Sequence, residues 1–154
     1  MEKNNIKKII IAIISILVVA ALGSIFVNVG MDWFNSLSKP SQWIPNVLIP
    51  IVWTFIYIIY TIFLSLWITK SRLPLSIIVL LIINGLLNIL WCLVFFTLQL
   101  TLIGNIVIVI NLIMAYYLIL EIKKYNKTYF YFATLYPVWV SIATTLNLAL
   151  WILN

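Results

Sequence analysis

Between Leu73 and Leu120 the chain runs for 48 residues without a charged side chain. As one helix that stretch would extend about 70 Å at 1.5 Å per residue, more than twice the roughly 30 Å hydrocarbon thickness of a bilayer. It must therefore turn back on itself, and Thr97-Leu-Gln-Leu-Thr101 is the most polar segment near its middle. Three further uncharged stretches, Ile9–Met31, Pro40–Thr69 and Thr128–Asn154, are 23, 30 and 27 residues long. Each fits a single helix of the roughly 20 apolar residues needed to cross a membrane. The pattern predicts an all-α integral membrane protein, one domain over residues 1–154 forming a bundle of five transmembrane helices. The spans fall at about 6–28, 46–69, 74–97, 102–124 and 129–152, with a loop at about 30–45.

Composition removes the alternatives. Hydrophobic residues make up 66% of the chain and charged residues 8%, against roughly a quarter charged in a soluble domain. Such a chain has too little polar surface for a water-facing globule, and disorder needs the opposite balance of low hydrophobicity and high charge. The first apolar run has the charged flank of a signal peptide, but it lacks a clear small-x-small cleavage site and is long enough to span. It reads as a retained helix.

The Lys and Arg residues sit in short clusters between spans. Lys3, Lys7, Lys8, Lys70, Arg72, Lys123, Lys124 and Lys127 fall on one side, and Lys39 alone falls on the other. The positive-inside rule then places the N-terminus in the cytoplasm and the C-terminus outside. Clusters of this kind, not interleaved with aromatics on one soluble face, do not predict a nucleic-acid partner. The loop on the outer side carries Trp33, Phe34, Trp43, Pro40 and Pro45, with Asp32 facing Lys39 in charge. Any one Trp there could belong to the aromatic belt at the lipid headgroups, but two Trp and two Pro in so short a loop predict a packed lid over the bundle mouth.

Inside a membrane every polar group must find a partner, so intramembrane amides are informative. Asn84, Asn88, Trp91 and Phe95 follow at offsets of 4, 3 and 4 and so share one helical face. The same spacing aligns Trp53, Tyr57 and Tyr60 on the second span, and Trp139, Ala143 and Asn147 on the fifth. Taken singly, each Asn is better read as helix-to-helix glue and each Trp as core. Three matching stripes in one small bundle instead predict a pocket with flat aromatic walls and a few amide groups, suited to a large, flat, mostly apolar molecule.

The three acids, Glu2, Asp32 and Glu121, lie at or beyond span ends, and the chain has no His. A proton relay, a voltage sensor or a charged ion filter has nothing to work with. An axial imidazole for haem and a His-based zinc site are equally excluded, and Cys92 alone reads as packing. No metal and no resident cofactor are expected. No ordinary catalytic constellation is present either.

Four motifs carry a resemblance across nearly the whole chain. They are Trp33-Phe34-x2-Leu37-x-Lys39-Pro40 in the loop and Pro50-x-Val52-Trp53-x3-Tyr57 opening the second span. Next come Leu87-Asn88-x2-Trp91-x3-Phe95-Phe96 and Tyr136-x2-Trp139-x3-Ala143-Thr144-x2-Asn147. The chain resembles the tryptophan-rich sensory protein, or translocator protein (peripheral benzodiazepine receptor), family. The resemblance implies a five-helix fold, commonly a homodimer, with a pocket closed by the loop after the first helix. It implies binding of porphyrins such as protoporphyrin IX and of synthetic isoquinoline or benzodiazepine-type ligands. It further implies a bacterial cytoplasmic membrane and, in some members, light-dependent breakdown of the porphyrin, with Trp53 and Trp139 at the positions of the implicated tryptophans. Trp33, Pro45, Tyr57, Asn84, Asn88, Trp91, Phe95, Ala143 and Asn147 would line the same pocket. A non-catalytic carrier of apolar ligands is the alternative.

The chain departs from the family pattern in two places. The family's two consecutive prolines in the loop are replaced by Ile44-Pro45, with Trp43 displaced by one position, and the proline usual four residues before the last pocket Trp is Leu135, with Pro137 nearer. The end of the fifth span, Leu146–Asn154, has neither the Tyr nor the Lys or Arg of a cholesterol motif, although Leu120-x4-Tyr125-x-Lys127 fits the loose pattern. Sterol binding is not predicted.

Overall fold

A computed structural model describes residues 3–41 and 44–154; Met1, Glu2, Gln42 and Trp43 lie outside the described residues, and with them the acid and the loop tryptophan singled out above. The chain forms α1 (Lys3–Val29), α2 (Met31–Ser36), α3 (Leu48–Lys70), α4 (Leu75–Cys92), α5 (Thr101–Tyr125) and α6 (Lys127–Leu153). A π-helical turn, Leu93–Thr97, continues α4. Five helices are long and apolar enough to cross a membrane, with α4 and its π-turn counting as one. Helix is the economical answer for such segments, because lipid offers no partner to an exposed backbone N–H or C=O.

Local signals set the ends. Pro45 opens the approach to α3, with the Leu48 N–H donating to its carbonyl at 2.9 Å. Pro74 precedes α4, where its missing donor costs nothing. The Asn126 side chain accepts the Tyr129 N–H at 3.0 Å and so caps α6. Lys70 ends α3, and Lys123 and Lys124 end α5, where cations complement the helix dipole.

The helices close a ring in the order α1, α3, α6, α5, α4. Although α3 and α4 are joined by a short connection, they do not pack backbone to backbone and meet only through side chains across the interior. On the half that carries α2 the seams are tight. A Cβ on Gly30 would lie 2.1 Å from the Phe96 carbonyl oxygen, so α1 ends directly against the π-turn backbone. Gly85 lets Val19 approach, and Gly104 makes room for Phe95.

One feature differs from the sequence expectation, in the loop after α1. The first part of the loop after α1 is the short helix α2, which presents Phe34 inward against Phe96 with ring centroids 5.2 Å apart. Lys39 sits over the Phe34 ring at 4.9 Å, so its charge is spent on an aromatic face. The α4–α5 break falls at Leu98–Leu100, and its tightness forces Gln99 to a φ of 59°.

Candidate functional site

The aromatic and amide stripes converge in the middle of the ring and in the half that carries α2. Trp53 is the hub. Its ring stacks on Tyr57 at 5.9 Å, lies 6.3 Å from Trp91 and meets Tyr136 edge-on at 6.1 Å. Trp91 stacks on Phe95 at 6.3 Å, and Phe95 meets Trp33 of α2 edge-on at 5.7 Å. One continuous set of rings thus runs from the loop to mid-membrane.

The π-turn explains why α4 can supply so much of it. The Leu98 N–H reaches back five residues to the Leu93 carbonyl at 2.9 Å. That widened turn brings the consecutive residues Val94, Phe95 and Phe96 all into the buried interior, which a regular helical face would not allow. Turns of this kind recur at functional sites.

The polar groups are arranged around the rings. Asn84 Nδ2 donates to the Leu80 carbonyl at 2.8 Å and across to the Met114 carbonyl on α5 at 3.2 Å. Asn88 Nδ2 donates to the Tyr57 hydroxyl at 3.2 Å. Both side-chain oxygens are left buried and without a partner, as are Trp91 Nε1, Trp139 Nε1 and Asn147 Nδ2. A buried unpaired polar atom costs about 1–3 kcal/mol, and lipid supplies no water to repair it. Two acceptors and three donors left this way on α4 and α6 constitute capacity for a ligand with polar edges.

Not every residue predicted for the pocket lies in this set. Trp139 and Ala143 are buried on α6, but among the described residues Trp139 makes no ring contact with Trp53. Pro45 is exposed at the approach to α3. Conversely, three interior groups went unassigned in the sequence. Asn111 and Tyr136 bond reciprocally, Nδ2 to the hydroxyl at 2.9 Å and the hydroxyl to Oδ1 at 3.1 Å. Asn105 is buried with neither side-chain atom bonded. The same signal that marked Asn84, an amide within an apolar span, would have found both.

The open space lies elsewhere. A cavity of about 980 Å³ occupies the half of the ring bearing the basic clusters, between the N-terminal half of α1 and the facing sides of α3 and α4. Tyr57, Asn84 and Asn88 line it, together with Tyr60 and Tyr136. It therefore shares the Tyr57–Asn88 contact with the aromatic set, while the loop-side compartment is filled by its own rings.

The family model of the TspO/MBR family matches residues 11–152, from the first span to the end of the last. The chain belongs to the TspO/MBR family. Among curated proteins no relative matches it. As a member of the TspO/MBR family it is a membrane protein of five apolar helices enclosing a buried aromatic cluster.

Proposed function

We propose that the protein binds a flat, largely apolar tetrapyrrole of the protoporphyrin IX type within the ring of helices. The observation that carries this reading is the set of buried unpaired polar atoms, Asn84 Oδ1, Asn88 Oδ1, Trp91 Nε1, Trp139 Nε1 and Asn147 Nδ2, in a bundle whose interior also holds stacked aromatic rings. Rings stack on a macrocycle face, and the amides and indoles satisfy its polar edges. Isoquinoline- and benzodiazepine-type molecules present the same combination of flat body and few acceptors. When the bound porphyrin absorbs light, Trp53 and Trp139 are the electron-rich groups placed to react, and the protein supplies position and exclusion of lipid. Sensing of the tetrapyrrole needs only the binding. The positive-inside rule puts the basic end in the cytoplasm, in a bacterial cytoplasmic membrane, and the family resemblance favours a homodimer.

A carrier of apolar ligands is the second reading. It is favoured by the cavity on the opposite half meeting the aromatic compartment at Tyr57 and Asn88, which gives the interior two approaches. A dark titration with protoporphyrin IX, read by tryptophan quenching and followed by illumination, tests the binding reading and separates it from carriage. Saturable quenching with light-dependent porphyrin loss that falls in the Trp53→Phe/Trp139→Phe variant supports photochemistry. Saturable binding without protein-dependent loss leaves sensing or carriage. Absence of saturable binding overturns the proposal.

A further inference from the structure

The cavity on the basic side meets the aromatic compartment at Tyr57 and Asn88 and has a charged end that the compartment lacks. Its walls are apolar, including Ile11 and Ile16 of α1, Ile56 and Leu64 of α3, and Leu81 and Ile89 of α4. Ile14, Val18, Ile82 and Leu86 also border it and are exposed on the outside of the bundle, so it opens sideways toward lipid between α1 and α4. Of the tight α1–α4 contacts, Val19 on Gly85 lies at the cavity wall and Cys92 near Gly23 lies beyond it.

Its two ends are polar and opposite in character. At the mouth stand Lys8, Lys70 and Arg72. None of the three is ion-paired with a described residue, and Glu121 on the same side is engaged by Lys124 and Ser76. At the inner end, Asn84 and Asn88 are each only 4% exposed, and each has a side-chain oxygen with no donor. Topology rules account for cations at this face of a membrane protein. They do not account for unpaired cations at the mouth of a cavity whose far end holds unpaired acceptors. From the start of α4 at Leu75 to Asn84 the helix rises about 14 Å.

We propose that this cavity is a second ligand site, taking from the adjoining leaflet a long-chain carboxylic acid that carries a hydrogen-bond donor partway along its chain. The carboxylate pairs with Lys8, Lys70 and Arg72, the chain lies along the apolar walls, and the donor reaches the oxygens of Asn84 and Asn88. The charged end shares no residue with the aromatic compartment, whereas Asn84 and Asn88 are common to this site and to the proposed tetrapyrrole site, so the two ligands compete for those amides. A volume of about 980 Å³ is at the upper end of what small-molecule sites provide, roughly 300–1,000 Å³.

The test is native mass spectrometry of the full chain in an uncharged detergent, titrated with 12-hydroxystearate, stearate and methyl 12-hydroxystearate. The hydroxy acid should bind saturably at one site per chain, several-fold tighter than stearate and at least tenfold tighter than the ester. The Lys8→Gln/Lys70→Gln/Arg72→Gln variant should lose at least tenfold in affinity for the acid, while the Trp53→Phe/Trp139→Phe variant should retain it. Equal binding of acid and ester, or an unchanged triple variant, overturns the charged end of the site. Equal binding of stearate and hydroxystearate overturns the role of the amides. Displacement of the acid by phosphatidylglycerol, with the same sensitivity to the triple variant, would make the occupant a bilayer phospholipid and overturn the proposal. Loss of porphyrin binding in the native protein bears only on the earlier reading, because none of these titrations uses it.

Discussion

The hydroxyl of Tyr60 on α3 donates to the backbone carbonyl of Ala133 on α6 at 3.1 Å. Ala133 lies four residues before Pro137, which sits buried inside α6 and has no N–H to give back to it. A side chain from a neighbouring helix thus replaces the hydrogen bond that proline removes, and the α3–α6 seam is pinned where α6 is weakest.

That relationship predicts a conditional mutation. Tyr60→Phe should destabilise the protein by about 1–3 kcal/mol, the cost of a buried carbonyl left unpaired. In a Pro137→Ala background the residue 137 N–H is restored, and the same Tyr60 change should cost much less. Thermal unfolding in detergent, run as a double-mutant cycle, reads the coupling directly; additive effects would contradict it.

Asn111 and Tyr136 form a closed reciprocal pair between α5 and α6. Removing one member strands the other in a dry interior. Asn111→Leu and Tyr136→Phe should each lower stability by about 1–3 kcal/mol, whereas the double replacement should cost less than the sum. A double loss equal to the sum of the two single losses would show that the pair is not coupled.

Gly30 is the point where α1 abuts the π-turn, and a Cβ there would stand 2.1 Å from the Phe96 carbonyl oxygen. Neither neighbour is a flexible side-chain end, so Gly30→Ala must push two backbones apart. Overpacking of this kind costs about 1–3 kcal/mol. The displaced π-turn also carries Phe95 and Phe96, so the variant should alter tryptophan fluorescence of the folded protein as well as its melting temperature. A native spectrum with unchanged stability would refute the close approach.

Asn154 holds the loop after α2 from the far end of the chain. Its Oδ1 accepts the Ser38 N–H at 2.9 Å, and its Nδ2 donates to the Ser38 carbonyl at 3.1 Å. Two exposed bonds are worth about 0.5–1.5 kcal/mol each at most, so Asn154→Ala should leave the bundle folded but loosen the loop. Limited proteolysis should cut within residues 37–47 faster, and protoporphyrin should leave several-fold sooner in stopped-flow quenching. Unchanged cleavage would mean that the rings of Trp33 and Phe34 hold the loop by themselves.

The membrane-spanning architecture was legible because charge marks its edges. Lys70 and Arg72 close one span and delay the next, and the absence of charge from Leu73 to Leu120 compels a turn that the structure makes at Gln99. Helical spacing also correctly placed Trp53 with Tyr57, and Asn88 with Trp91, on shared faces that meet in the interior. Spacing says which way a side chain points but not which helix stands opposite. Trp139 shares a stripe with Ala143 and Asn147, yet its ring is not the one that meets Trp53; Tyr136, one turn earlier, is. The π-turn left no mark in the sequence, since Leu93 to Thr97 contains no Gly, Pro or charge. The cavity was equally silent. It lies between the N-terminal half of α1 and the facing sides of α3 and α4, and residue spacing along a helix does not say how far away its neighbour stands.

The order of the ring bears on how the protein is made. Transmembrane helices enter the bilayer individually and associate afterwards. Because α3 packs on α1 and α6 and not on its successor α4, Tyr60 and the edge of Trp53 that meets Tyr136 wait without their helix partner until the last segment has been synthesised. The ribosome therefore delivers one wall of the chamber last, and a nascent chain interrupted anywhere before α6 has Tyr60 without its Ala133 and Tyr136 partners, available to whatever chaperone or ligand reaches it first.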